Sequence, residues 1–221
     1  MLFRSILELV KRAHEEKDKN DLRNKTNTSF NENFITGRSK RMREVMQHID
    51  VVATTDVTVL IEGETGSGKE YIARAIHNAS KRREKAFIAV DCGAIPKDLA
   101  NSELFGHVRG AFTGAINDKT GYYEQADGGT LFLDEVGNLQ HENQLKLLRA
   151  LEDGMIHKVG DNKPIRVDVR IIAASNVSLP EKIKTSEFRE DLYHRLNGFK
   201  IKLDRKSTRL KSSHRIRTLM T

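Results

Sequence analysis

Residues 63–69 read Gly-Glu-Thr-Gly-Ser-Gly-Lys, a glycine-rich turn closed by a lysine. Glycines let a backbone come close to phosphate oxygens, and from Gly63 onward the amides of Glu64, Thr65, Gly66, Ser67, Gly68 and Lys69 can cradle them. Lys69 adds a cation for the outer phosphates, and a helix starting there adds the positive end of its dipole. The next residue is Glu70, where the general P-loop pattern carries a Ser or Thr hydroxyl for magnesium. A metal here therefore needs another ligand. Residues 128–136 take an apolar run into the adjacent acids Asp134 and Glu135. Behind a phosphate cradle, one carboxylate can hold magnesium and the other can orient and polarise an attacking water. Taken alone, such a pair is equally a solvated turn. Asn176 ends another apolar run, where its amide can face a phosphate or simply form a turn. Arg189 and Arg195 lie six apart, and guanidinium stays charged and forks onto phosphate oxygens. Spacing alone also allows them to be surface ion-pair partners on an amphipathic helix. The histidines show no metal-ligand spacing.

These groups need strands that end where helices begin. Met42, Val45, Met46, Ile49 and Val52 have helical spacing, and residues 57–61 form a short charge-free β-branched run. A helix is expected over 69–79 and another over 139–151, with further strands at 86–90, 130–133 and 167–173. Strands alternating with helices predict an α/β protein, a parallel sheet sandwiched by helices. Residues 154–168, with Gly160, Asp161, Asn162 and Pro164 at the middle, read as a hairpin. The organisation expected is an N-terminal helix and linker over 1–33, a compact domain over 34–203 and a tail over 204–221.

The chain has 221 residues, enough for one sizeable α/β core, and a formal net charge of +7. Residues 204–221 hold six Lys or Arg against one acid, a net of +5, which leaves +2 for the remainder. The string from Asp204 to His214 resembles the in-frame translation of a sequencing-library adapter. It is set aside from fold reasoning, with the natural chain expected to be cut near Leu203. A basic arm is the alternative. Cys92 is the single cysteine, which excludes an internal disulfide and fits a reducing compartment and core packing. No apolar run approaches membrane-spanning length and no secretory signal precedes the domain, so the cytoplasm is expected.

Residues 110–115 read Gly-Ala-Phe-Thr-Gly-Ala, an apolar Phe112 and Thr113 between Gly110-Ala111 and Gly114-Ala115. Flexible residues on both sides allow a tip, and a phenylalanine on a tip needs a partner surface. The wider string, residues 103–115, resembles the client-contacting loop of the sigma-54-dependent transcriptional activators, bacterial AAA+ ATPases. Gly-Lys-Glu at 68–70 is similar to that family's form of the P-loop, and the other motifs follow in the expected order. The resemblance implies ATP and Mg2+ as cofactors, with Mg2+ on Asp134, Glu135 as the catalytic base and Asn176 as a sensor of the γ-phosphate. It implies that Ile35 and Gly37 line the adenine pocket. Arg189 and Arg195 become fingers for the neighbouring subunit's nucleotide in a ring, expected to be a hexamer. The implied client is the sigma-54 RNA polymerase holoenzyme, touched by residues 110–115, with residues 154–168 a second insertion beside that loop. Asp91 stands where family members often place an Asn that restrains the catalytic Glu; a carboxylate cannot donate that hydrogen bond.

After Leu203 the family continues into a helical lid and usually an enhancer-binding helix-turn-helix. DNA binding is thus expected only through a domain this chain lacks, and weak hydrolysis from the chain alone. Two alternatives are an AAA+ ATPase with another protein or nucleic-acid client and a nucleotide-binding scaffold without catalysis. A nucleic-acid groove would carry more Lys and Arg than residues 110–115 offer.

Overall fold

In the computed structural model of the chain, residues 40–203 are described. The expected N-terminal helix and linker, Ile35, Gly37 and residues 204–221 lie outside them. In chain order the first elements are α1 (Lys40–Ala53), β1 (Val59–Gly63), α2 (Lys69–Asn78), β2 (Phe87–Asp91), α3 (Ala100–Phe105), α4 (Tyr122–Gln125) and β3 (Thr130–Asp134). A 3-10 turn (Val136–Asn138) follows, then α5 (His141–Asp153), β4 (Met155–His157), β5 (Pro164–Arg166), β6 (Arg170–Ser175), α6 (Leu179–Lys184), α7 (Glu190–Leu196) and β7 (Phe199–Leu203).

Five of the strands form a parallel sheet in the order β2-β3-β6-β1-β7, which bears out the expected α/β class. Strand side chains alternate between faces, so each strand of a covered sheet must be apolar on both. Val59 and Ile61 accordingly join one buried cluster with Ile49, Ile72, Ile76 and Phe132, beneath α1 and α2. Leu60 joins the other with Leu131, Leu133, Ala173, Leu147 and Leu192, beneath α3 to α5 and α7. β4 and β5 pair as a separate antiparallel hairpin, as residues 154–168 predict. None of the described helices is long and apolar enough to cross a membrane.

Two strand boundaries differ from the apolar runs. β1 begins at Val59 and carries on through Glu62 and Gly63, because Glu62 keeps the ladder with Ser175 and Lys202 while its carboxylate pairs with Lys200 Nζ at 2.6 Å. β6 begins at Arg170, because Val167 and Asp168 spend their amides elsewhere, on the Gly154 carbonyl and Asp127 Oδ1. Arg170 is itself buried, and its guanidinium donates to the Val52 carbonyl at 2.8 Å, closing the C-terminal end of α1 from within the sheet.

His77 on α2 is buried, with Nδ1 2.9 Å from Thr130 Oγ1. Burial, and then the charge of Arg170, holds its pKa below the ordinary imidazole value of 6.5. The unfolded chain therefore binds the proton more readily than the folded one, so folding stability is fully present above about pH 6.5 and falls as pH drops toward the folded value. Urea denaturation between pH 7 and pH 5 should show this loss. His77→Gln, which keeps a polar partner for Thr130 but cannot titrate, should make the pH dependence measurably shallower; an unchanged slope would remove His77 as its source.

Candidate functional site

The P-loop joins β1 to α2. Gly66 and Gly68 have φ of +78° and +82°, and an added Cβ at either meets nothing within 4 Å. Backbone conformation and open access, not packing, are what require glycine there. Gly63 differs, since its Cβ would sit 2.6 Å from Ser67 Oγ and 3.0 Å from Leu203. The Lys69 side chain curls back over the loop, with Nζ 3.2 Å from the Gly63 carbonyl and 3.3 Å from that of Glu64. Ser67 Oγ is buried without a hydrogen-bond partner. An orphaned hydroxyl, an inward ammonium and two open glycines at a helix start fit a phosphate chain. Glu70 faces elsewhere, paired with Arg74 at 2.7 Å on the surface of α2.

Asp134 ends β3 and Glu135 follows it, while Asn176 follows β6, the strand between β3 and β1. Asn176 Nδ2 donates to Glu135 Oε1 at 2.8 Å and lies 3.2 Å from Thr65 Oγ1. One amide thus connects the P-loop to the acid pair. Asp134 Oδ1 accepts the Glu135 amide at 2.8 Å. Glu135 itself has φ +51° and ψ +40°, an uncommon region for a residue with a side chain. Its second oxygen, Oε2, accepts from Asn138 Nδ2 at 2.9 Å. Among the described residues no three His, Cys, Asp or Glu side chains gather as a metal cage. A divalent cation on Asp134 would draw its remaining ligands from phosphate oxygens and water.

Asp91, in register with Asp134, accepts the amides of Gly93 at 2.8 Å and Ala94 at 3.2 Å through Oδ1. It turns the chain after β2 and donates nothing to Glu135. Cys92 beside it is buried; burial, and then the carboxylates of Asp91, Asp134 and Glu135, push its thiol up to about 12. It stays protonated in the core.

Arg189 caps the start of α7, and its guanidinium grips Asp191 with two bonds of 3.0 and 2.6 Å. The pairing raises the Arg189 pKa and lowers that of Asp191. Arg195, within α7, donates to the Leu151 carbonyl at 2.9 Å. Neither arginine bonds to the P-loop, Glu135 or Asn176.

Residues 110–115 form a closed tip, with the Gly110 amide on the Ala115 carbonyl at 2.8 Å and φ of +80° and +101° at Gly110 and Gly114. Phe112 is 39% exposed and rests edge-on against the His107 ring, with centroids 5.0 Å apart. Ile116 beside it is 74% exposed. The loop leaves α3 and returns to α4 through a narrow neck. His107 and Lys119 exchange backbone bonds of 3.1 and 2.9 Å, and a Cβ on Gly121 would overlap the backbone of Phe105 and Gly106. The β4–β5 hairpin lies alongside. Val159 bonds to Gly106 and Val108, and a Cβ on Gly160 would sit 2.6 Å from Ala111 Cβ.

Sequence reasoning missed Asn138, Ile116 and Gln144. Asn138 had only its place three residues beyond Glu135 as a signal. Gln144 is fully buried and bridges three backbone groups: its Nε2 donates to the carbonyls of Leu139 at 2.8 Å and Glu187 at 2.9 Å, and its Oε1 accepts the Arg189 amide at 2.9 Å. It ties the segment after Glu135 to the segment that presents Arg189. On a helix it reads as an ordinary polar position.

A family model described as the Sigma-54 interaction domain matches residues 35–202. Over 167 residues the chain is 55% identical to the anaerobic nitric oxide reductase transcription regulator NorR of Vibrio vulnificus YJ016, a match covering 76% of this chain and 33% of that one. The chain thus spans about a third of that relative's length. The crystal structure of NtrX from Brucella abortus in complex with ATP superimposes with a TM-score of 0.72 at 35% identity, covering 89% of this chain and 41% of that one. The P-loop NTPase domain of an Escherichia coli protein described as a sigma-54 transport activator superimposes with a TM-score of 0.51 at 20% identity, over 76% of this chain and 96% of that one, a likeness of fold.

Gln144→Leu keeps the volume and leaves three backbone groups without partners, at about 1–3 kcal/mol for each that water does not reach. Urea unfolding should lose at least about 2 kcal/mol relative to the parent chain. A loss under about 0.5 kcal/mol would show that the three groups find other partners.

Proposed function

Since the chain belongs to the sigma-54 interaction domain family, with the AAA+ P-loop NTPase fold, we propose that it is the ATP-driven part of an activator of sigma-54-dependent transcription. On this reading it binds ATP, hydrolyses it within a ring of subunits, and uses the cycle to press residues 110–115 against sigma-54 in the RNA polymerase holoenzyme. The observation that carries the proposal is the Asn176 amide, which spans from Thr65 of the P-loop to Glu135 and so makes one site of three separate strand ends.

The amides of residues 64–69 and the Lys69 ammonium bind the phosphates, while Asn176 faces the γ-phosphate. Ile35 and Gly37 belong to the adenine pocket. Asp134 would hold Mg2+, which would supply positive charge against the charge that develops on the transferred group. Glu135 orients a water in line with the γ-phosphorus and takes its proton as the new P–O bond forms and the bond to the ADP oxygen breaks. Arg189 and Arg195 act on the nucleotide of the adjacent subunit in a ring, here proposed to be a hexamer; Arg189 must first exchange Asp191 for phosphate. The site of action is the cytoplasm, and enhancer DNA is left to other parts of the full-length protein.

The client contact rests on an exposed aromatic and an exposed aliphatic on a glycine-flanked tip. Phe112 and Ile116 offer apolar area to a protein surface and no charge to a nucleic-acid backbone. Bridges from His107 to Lys119 and to Val159 close the loop at its base and join it to the hairpin segment.

Glu135→Gln should retain binding of fluorescent ATP and lose at least about a hundredfold in turnover, the usual scale for removing a positioned base. An unaltered rate would sink the catalytic assignment and favour a nucleotide-binding scaffold. Phe112→Ala should leave ATP turnover within about twofold of the parent and remove co-sedimentation with purified sigma-54 in the presence of a non-hydrolysable ATP analogue. Retained co-sedimentation would sink the client contact.

A further inference from the structure

Ser178, two residues after Asn176, caps α6 and accepts the Glu181 amide at 3.4 Å. The helix lies against the turn that follows Glu135. A Cβ on Gly137 would sit 3.1 Å from the Val177 side chain and 3.2 Å from that of Leu179. Lys182 Nζ closes this contact, donating to the Gly137 carbonyl at 2.8 Å. At its other end the helix turns back on itself. Ser186 has φ +58°, which lets the amides of Glu187 and Phe188 reach the Lys182 carbonyl at 2.8 and 3.1 Å. Arg189 is the next residue. Lys182 is thus tied to the Glu135 turn by its side chain and to the Arg189 segment by its main chain.

We propose that Lys182 is a positioning residue that passes the state of a subunit's own ATP site to Arg189, the finger acting on the neighbouring nucleotide. The inference rests on the readings of Glu135 as the base and Arg189 as a finger. Movement at Asn176 or in the turn after Glu135 has a short way outward, through the six residues of α6. Gln144 also links the turn to the Arg189 segment, from α5. It grips the turn only at Leu139, however, about which the turn can pivot. Lys182 holds it at Gly137 as well, and two points fix a direction where one fixes only a separation. The Lys182 ammonium also lies 3.5 Å from Glu187 Oε2, which draws its charge toward the Arg189 side.

Direction matters for this arginine in particular. Arg189 caps α7, so the segment before it aims both its own guanidinium and the helix that carries Arg195. A misplacement of about 1 Å at a reacting centre costs on the order of a hundredfold in rate. The Lys182 bond also suits a link that opens and closes. Its side chain is partly exposed, so the ammonium stays hydrated when the bond breaks and no charge is left buried.

The test compares the 221-residue parent with Lys182→Met, which keeps the length and cannot donate, and with Lys182→Arg, which can. ATP turnover, fluorescent-ATP affinity and urea midpoint are measured for each, alone and mixed with an excess of Glu135→Gln chains. Lys182→Met should lose about ten- to a hundredfold in kcat with affinity within about twofold of the parent, and Lys182→Arg should keep at least about half of the parent rate. Glu135→Gln chains are silent themselves but carry an intact Arg189. Because the finger acts in trans, adding them should raise turnover at the Lys182→Met sites by about threefold or more. An unaltered kcat overturns the proposal, and so does a loss that mixing does not relieve, since that places the effect within the subunit's own site. A purely structural role would lower the urea midpoint and would not be relieved by mixing. Arg189→Ala mixed in the same way reads the premise, and no relief there overturns the finger assignment itself. Hydrogen exchange reads the link without turnover. In the parent, a non-hydrolysable ATP analogue should slow exchange at residues 136–140 and 185–190 together; in Lys182→Met it should slow only the first. Slowing of both in the variant, or no slowing at 185–190 in the parent, overturns the link.

Discussion

The phosphate-handling groups of this chain all hang from the parallel pairing of β1, β6 and β3. Adjacent parallel strands end on the same edge, so whatever follows each strand meets whatever follows its neighbours. The register sets how closely. Glu62 lies opposite Ser175, and Leu133 lies opposite Ala173, which leaves Thr65, Asn176 and Glu135 only a few residues past a common line. An antiparallel or differently ordered sheet would send the acid pair to the far edge from the P-loop. The two buried clusters on either face of the sheet therefore hold the site together as directly as any hydrogen bond within it.

A second dependence runs from the sheet to the tip at residues 110–115. The tip is joined to the body where Gly106 and Gly121 bring two backbones into contact, a closeness that any side chain would prevent. Around that point the fastening is polar. Ser102 Oγ meets His107 Nδ1 at 2.6 Å, Lys119 pairs with Glu103 at 2.6 Å, and Lys158 of the hairpin segment pairs with Glu124 at 3.2 Å. Above it lie the small closed turn and the exposed apolar side chains of Phe112 and Ile116. Fastening at the base with exposure at the end is the division of labour a contact element needs.

Much of this was legible in the sequence because it is written in local terms. The P-loop is a contiguous string between a strand and a helix, and the acid pair ends a strand of unbroken apolar character. Glycines around Phe112 announce a tip. What was not legible depends on groups distant in sequence. The apolar run at 167–173 overreached because Val167 and Asp168 turn their amides to Gly154 and Asp127, partners that no window of neighbouring residues contains. Likewise Asn138 donates to Glu135 from within the next turn, a bond for which its place three residues on was the only signal. A short polar side chain after a strand looks like a turn former, and only the direction of its amide shows otherwise.

Gln144 constrains how this domain can change over time. With no exposed surface and three backbone partners, it measures the separation between the segment after Glu135 and the segment before Arg189 as a fixed ruler does. A lineage that lengthens or shortens either segment breaks a bond at the other end, so neither is free to drift alone. The two segments therefore inherit their spacing together.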